Sequence, residues 1–446
     1  MNLIAILPNR LEFMTHMKSS ALQFQFIGNA CGVFIGKSGS KILCDPWLTD
    51  GVFDGSWCHF SKLETTVSDL KDVDAIYLSH IHPDHFDDRN FLFDKDKPII
   101  VLDHNQNYLL KRLAALGFKN LIAVKDKETI SFNEFNLTMF APFEKSNFHE
   151  AKVGNLIDSS ILVSCDGTTA LNTNDNTFSI QSAKLFKQKY GPLSLAMLNY
   201  NAAGPYPSCF DNLTESEKIL ESKRIVLRNL NHMLGVIHEL QPSFVMPFAG
   251  AYVIGGKFAY RNKFLGTSTW DECGDFLKSN GIKPEQIVLL RESDIFDIEK
   301  GGSNKPYTMV STNEIAEYVE HTLSKITYPY ESDVFPNEEQ LCYDIEISSS
   351  ELIQRMRKLE LTSTFAVVVK VFNRRLQIYP EFKVFENEER PNRVLECSLD
   401  ERLLRRILDK KSHWNNAEIG THISFFRSPN EYEYDLHTAL QFLHLP

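Results

Sequence analysis

The stretch Ala75-Ile-Tyr-Leu-Ser-His-Ile-His-Pro-Asp-His-Phe-Asp87 decides how the rest of the chain is read. Its first four residues, Ala75 to Leu78, have the length and bulk of a buried strand. Directly after them, His80, His82, Asp84 and His85 place four potential metal ligands within six residues. His80 and His82 project to one side if the extended conformation persists. Pro83 fixes its own φ and turns the chain, so that Asp84 and His85 offer a second pair. A strand end is where α/β proteins commonly keep their chemistry. Three imidazoles and a carboxylate suit zinc, iron, manganese or nickel better than calcium or magnesium, whose shells are mainly oxygen. The donor set admits one ion or two; the competing reading is a solvated polar loop.

Length and composition bound the remainder. A chain of 446 residues predicts one large domain plus a second. With 43% hydrophobic and 11% aromatic residues it can bury a substantial core. A formal charge of −11 argues against nucleic acid or an anionic membrane surface as a general partner. The eight cysteines are scattered and never spaced CxxC, which reads as reduced, buried thiols in a cytoplasmic protein. The opening Met1 to Pro8 lacks a basic region and is a poor signal peptide. No apolar run approaches the ~20 residues of a membrane helix.

Residues 1 to 20 read as a loosely attached leader. Leu22, Phe24 and Phe26 then alternate with Gln23 and Gln25, and two hairpins lead to Asp45-Pro46-Trp47. By itself Asp45 reads as an Asx turn closed by Pro46, with Trp47 in the core. Residues 48 to 60 carry aromatics and read as a loop over the site, a candidate lid. Asn199 to Pro207 is a Gly- and Pro-containing loop whose tyrosines offer stacking or hydroxyl contacts, or else an ordinary turn. The polar, aromatic segment 413–420 is expected to close over a site, form a subunit contact, or pack through Trp414.

His-Ile-His-Pro-Asp-His resembles the HxHxDH signature of the metallo-β-lactamase superfamily. Asp45-Pro46-Trp47, Ala170 to Asp175, Leu240-Gln241-Pro242 and Pro247-Phe248-Ala249-Gly250 follow in an order similar to the CMP-N-acetylneuraminate hydroxylase branch, close to its lactonase-like members. The resemblance spans about residues 22 to 260. It implies an α/β fold, a four-layer αβ/βα sandwich over residues 21–265. Beyond it are expected a connecting helical extension at 266–344 and a small α+β domain at 345–446.

The same resemblance implies the site. Asp175 is expected to bridge two metals, with Asp84 also the catalytic carboxylate, and Asp45 behind the histidines. His149 or Asp158 is expected to supply a third-segment ligand, with His232 a more distant candidate. Tyr200, Tyr206 and Tyr252 are expected to contact substrate. The usual final histidine is missing, since Phe248 to Tyr252 contains none. The expected cofactors are two divalent ions, zinc or iron, with manganese as an alternative. The expected function is attack by a metal-activated water on an ester, lactone, amide or phosphoester, on a sugar or sugar-nucleotide-like small molecule. The alternative is a di-iron oxygenase fed by a separate electron donor, because the chain has no CxH and CxxH pair for a Rieske cluster. A degenerate binding scaffold is the third reading, and homo-oligomers are compatible with all three.

Overall fold

The strand Leu22–Gly28 alternates as its residues demand, with Leu22, Phe24 and Phe26 buried and Gln23 and Gln25 half-buried. In the computed structural model, which describes residues 20–105, 107–144, 158–385 and 390–446, it opens a seven-stranded sheet. It pairs antiparallel with Cys31–Gly36, which pairs in turn with Lys41–Cys44. From there the sheet runs parallel through Ala75–Tyr77, Ile99–Leu102 and Leu121–Val124. A second sheet of six strands runs Phe244–Pro247, Leu195–Leu198, Thr168–Asn172, Ser160–Cys165, Phe135–Phe140, Thr129–Phe132.

The two sheets meet face to face. Phe24, Phe34, Ile42, Tyr77 and Ile100 pack with Leu137, Ile161, Ala170, Leu195 and Met197 in one core. Full burial of each Phe, Ile, Leu or Met among them contributes about 1.5–3 kcal/mol, which holds the layers together. The outer face of the first sheet is covered by the helix Tyr108–Ala115, through Leu109 and Leu113. The outer face of the second is covered by the helices Ile180–Tyr190, Glu215–Leu240 and Trp270–Ser279. The longest of these starts at a capping box, Thr214 with Glu217, and stops where Gln241 turns left-handed before Pro242. The layers are therefore helix, sheet, sheet, helix.

Residues 266–344, expected as a connector, contribute more than a link. Trp270–Ser279 packs on the second sheet, and Ile295–Asp297 pairs with Leu22–Gly28 at the edge of the first. The C-terminal module has its own five-stranded sheet, ordered Lys383–Phe385, Arg374–Tyr379, Ala366–Val371, Val394–Ser398, Ser424–Ser428. Its long helix runs Glu338–Lys358, starting ahead of the expected boundary at 345.

The module is fastened to the sandwich by buried contacts. Phe210 stacks on Phe425 at 5.2 Å, and Arg261, itself buried, bonds Ser424 Oγ at 2.6 Å. The buried His422 ring lies 2.8 Å from the Phe53 carbonyl through Nε2 and 3.1 Å from the Tyr330 hydroxyl through Nδ1.

The stretch 48–60 is a wall rather than a lid. Trp57–Cys58 pairs with Val253–Ile254, and Trp57 stacks on Tyr252 at 3.5 Å. Trp47, Phe53 and Trp57 are buried, so swinging the segment open would expose a packed aromatic cluster. All eight cysteines are free, and seven are buried. Among the described residues no helix is long and apolar enough to cross a membrane.

Candidate metal centre

Ala75–Tyr77 is wholly buried between two parallel neighbours, so the chain leaves the sheet at a fixed point and direction. Lys41–Cys44 ends beside it, and the Asp45 N–H donates to the Tyr77 carbonyl at 3.0 Å. Asp45 adopts φ 39°, a left-handed conformation that aspartate tolerates better than most residues. Its carboxylate is thereby aimed at the start of the histidine loop. It accepts the Ser79 N–H at 2.7 Å, the Ser79 hydroxyl at 2.7 Å and the His85 Nδ1–H at 2.9 Å. The loop's far end is pinned by buried Asp87, which accepts from Arg89 Nε at 2.8 Å, Thr49 Oγ1 at 3.0 Å and Asn90 Nδ2 at 2.9 Å.

Each of the three imidazoles has one nitrogen turned outward onto a partner and the other turned inward. His80 Nδ1 lies 3.0 Å from Ser79 Oγ and 3.1 Å from Asp158 Oδ1. His85 Nδ1 is held by Asp45. His82 Nε2 lies 3.2 Å from Asn415 Oδ1, a contact with the C-terminal module across 333 residues of sequence. Inward, His80 Nε2 and His82 Nδ1 approach to 2.8 Å. His85 Nε2 lies 3.4 Å from Asp84 and 3.3 Å from Asp175. An acceptor on the outer N–H fixes the tautomer and leaves the inner lone pair free to ligate.

Two ligand triplets result, His80 with His82 and Asp175, and Asp84 with His85 and Asp175; within each, the donor atoms lie within 4.8 Å of one another. Asp175, three residues beyond Thr168–Asn172, belongs to both. Asn199 Nδ2 donates to its Oδ1 at 3.3 Å, and Asn29 Nδ2 donates to Asp84 Oδ2 at 3.3 Å.

The arrangement fits a divalent cation on two observations. His85 Nε2 is buried without a hydrogen-bond partner among the described residues, although two carboxylates flank it. The charges also call for a cation. Burial opposes a charge on His85, yet Asp84, Asp175 and Asp45 together raise its pKa well above the ordinary histidine value. Burial, then His85 and His82, push His80 well down, which keeps it neutral and able to ligate. Burial works to raise Asp175, but His85 and His82 overcome it, so its pKa falls below the usual carboxylate value and it is ionised.

The other expected residues are placed as follows. His149 lies outside the described residues. Asp158 approaches His80 from the outer nitrogen, the side away from Asp175, and is not in either triplet. That places it as a partner of His80, where a ligand to the ion was expected. His232 Nε2 donates to the Phe178 carbonyl at 2.6 Å, which occupies that nitrogen. Tyr200 and Tyr252 line one cavity of about 800 Å³, with Trp270 and Arg291. Tyr206 lines a different one of about 800 Å³, so the three tyrosines do not share a pocket. Where a final histidine was missed, Ala251 N–H donates to Asn29 Oδ1 at 3.0 Å, linking that loop to the residue holding Asp84. Ser79, Asn29 and Asn415 had no ligand signal of their own in the sequence; only the segment around Asn415 stood out, by its polar and aromatic composition.

The four layers, with a histidine-rich loop at the end of a central parallel strand, are those of the metallo-β-lactamase fold. The relatives are more particular. The chain is 27% identical over 320 residues to a "Putative Rieske 2Fe-2S iron-sulfur protein" of Mycolicibacterium smegmatis, covering 69% of this chain and 56% of that one. It is 27% identical over 185 residues to a "UPF0173 metal-dependent hydrolase" of Pyrococcus abyssi, covering 40% and 71%. Among solved structures, an isothiocyanate hydrolase from Delia radicum gut bacteria superposes with a TM-score of 0.45 at 17% identity, over 61% of this chain and 98% of that one. The chain spans about half the length of the mycobacterial relatives it matches. No protein-family model matches it.

Proposed function

We propose that the chain is a metal-dependent hydrolase acting on a small molecule at the centre built by His80, His82, Asp84, His85 and Asp175. The observation that carries this is the outward capping of all three imidazoles, which leaves their inner nitrogens facing a shared carboxylate. His80, His82 and Asp175 would hold one divalent ion, zinc, iron or manganese, and Asp84, His85 and Asp175 a second. When bound, such ions supply a water acidified toward neutrality and a Lewis acid for the bond under attack. Asp84, steadied by Asn29, is the carboxylate placed to take a proton at the centre and return it to the leaving group. Asp45, Ser79, Asp158 and Asn415 keep the imidazoles in their ligating orientation. The name of the Pyrococcus relative, a metal-dependent hydrolase, supports the same reading.

The name of the mycobacterial relative favours a second reading, an iron centre driven by electrons. These 446 residues contain no CxH and CxxH pair, so in that reading the electrons would arrive from outside them. The deciding experiment is turnover of a panel of esters, lactones, amides and phosphoesters by metal-loaded protein, under air and without oxygen. Oxygen-independent hydrolysis that chelation abolishes is expected. Turnover that consumes oxygen and stops anaerobically would overturn the hydrolase.

A further inference from the structure

The module does more than contact His82. Between it and the sandwich lies a cavity of about 800 Å³, walled by the loop Ala202–Tyr206, one face of the helix Glu215–Leu240, and module residues that include Asn415 and Arg427. Asn415, which touches His82, is also part of the cavity wall, so the cavity begins one side chain from the centre.

Arg427 is its unusual feature. It lies on the edge strand Ser424–Ser428 and is 7% exposed. Other arginines of the module are matched by acids: Arg375 with Glu396, Arg402 with Asp400, Arg405 with Asp344, Arg406 with Asp333. Arg427 has no carboxylate partner among the described residues. Its Nε and Nη2 donate to Asn430 Oδ1 at 3.3 and 2.8 Å, and its guanidinium lies over the Phe210 ring at 4.6 Å. Nη1 makes no hydrogen bond among the described residues. A buried, uncompensated guanidinium costs stability unless something anionic answers it.

The surroundings point the same way. Three arginines line the cavity, Arg224, Arg228 and Arg427, against two carboxylates, Glu221 and Glu418. Both carboxylates are engaged, Glu221 with Arg224 at 2.7 Å and Glu418 with His437 at 2.6 Å. Arg228 is exposed and bonds only Asn229 among the described residues. In a chain of net charge −11, this is a local basic pocket.

We infer that this cavity receives a small organic anion, a carboxylate or phosphate monoester, anchored on Arg427, with its reacting bond extended past Asn415 toward the metal centre. The inference rests on the hydrolase reading for what happens at that centre, but anchoring itself does not need it. A guanidinium presents paired donors that match either anion. Tyr206 and Tyr432 line the same space and offer rings for the organic part of the ligand.

The test is calorimetric titration of the full chain with phenyl phosphate and, separately, with benzoate. Saturable binding of at least one is expected, and the tighter of the two identifies the anion. Arg427→Gln should weaken it on the order of tenfold or more, as loss of a charge-assisted bidentate contact does. Arg228→Glu, at an exposed position that the fold does not depend on, should weaken it severalfold and serves if Arg427→Gln does not fold. In an Asp175→Ala background, where the centre is broken, the Arg427-dependent binding should persist. That arm separates the two claims, since a failed hydrolase reading leaves it intact. No saturable binding of either anion, or unchanged affinity in the foldable arginine variants, would overturn the inference.

Discussion

Asp45→Asn changes one atom of a buried side chain and is expected to disable a histidine it leaves in place. In the wild type the carboxylate accepts three hydrogen bonds, two from Ser79 and one from His85 Nδ1. An asparagine can keep the Ser79 N–H through its remaining oxygen. Its NH₂ then faces the Ser79 hydroxyl and His85 Nδ1, two groups that had been donating. The hydroxyl can rotate to accept; His85 can accept only by moving its proton to Nε2. That nitrogen is the one lying 3.4 Å from Asp84 and 3.3 Å from Asp175, so its lone pair is lost to the centre. Losing an outer partner of this kind typically costs about 10–100-fold in metal affinity, or about 1.4–2.7 kcal/mol. The volume is unchanged, so the fold should be too. Competition against a chromophoric chelator measures the affinity, and circular dichroism checks the fold. An affinity within about twofold of wild type would refute the assignment of Asp45 as the group that sets the His85 tautomer.

Asn415→Ala should weaken metal binding less, since it removes a neutral acceptor from an imidazole that retains Nδ1 facing His80; the same chelator competition reads it, and no change would mean that the module does not steady His82. The His422 pKa is held down to about 4 by burial, so between about 6.5, its unfolded value, and 4 the unfolded chain binds a proton that the folded one refuses. Stability therefore falls as pH drops through that window, by roughly 3 kcal/mol for this group. Urea melts at stepped pH should show this component missing in His422→Asn; identical pH profiles would contradict it.

How far the sequence carried the reading depended on how local each feature was. The histidine loop was legible because its four candidate ligands fall within six residues and follow an apolar run of strand length, Ala75 to Leu78, which the structure buries completely. Asp45 stood out because a proline and a buried tryptophan follow it, a pattern dense enough to mark a turn at a strand end. Asn415 was another matter. Its contact with His82 exists because the module docks on the sandwich, through Phe210, Arg261 and His422 and also through its own segment, where Ser412 Oγ donates to Asp54 and the Trp57 indole N–H donates to the Ile419 carbonyl at 3.2 Å; those partners lie more than 350 residues away in sequence. The strand Ile295–Asp297 has three residues and takes its meaning from the edge it completes. Residues 48–60 were misjudged as a lid because aromatics among glycines look the same whether they cover a site or pack a wall. Pairing of Trp57–Cys58 with Val253–Ile254 decides between the two. Asp158 and the three tyrosines show the same limit, because sequence placed them near the site without saying which side of His80, or which cavity, each would face.

The central claim is that Asp175 joins two ligand sets into one metal centre. Metal content of the purified, reconstituted full chain, measured beside Asp175→Ala by elemental analysis, tests it directly. The wild type is expected to hold up to two divalent ions per chain and the variant to lose both together, since each triplet contains that carboxylate. A wild type that takes up no stoichiometric metal, or a variant that keeps its full complement, would contradict the account.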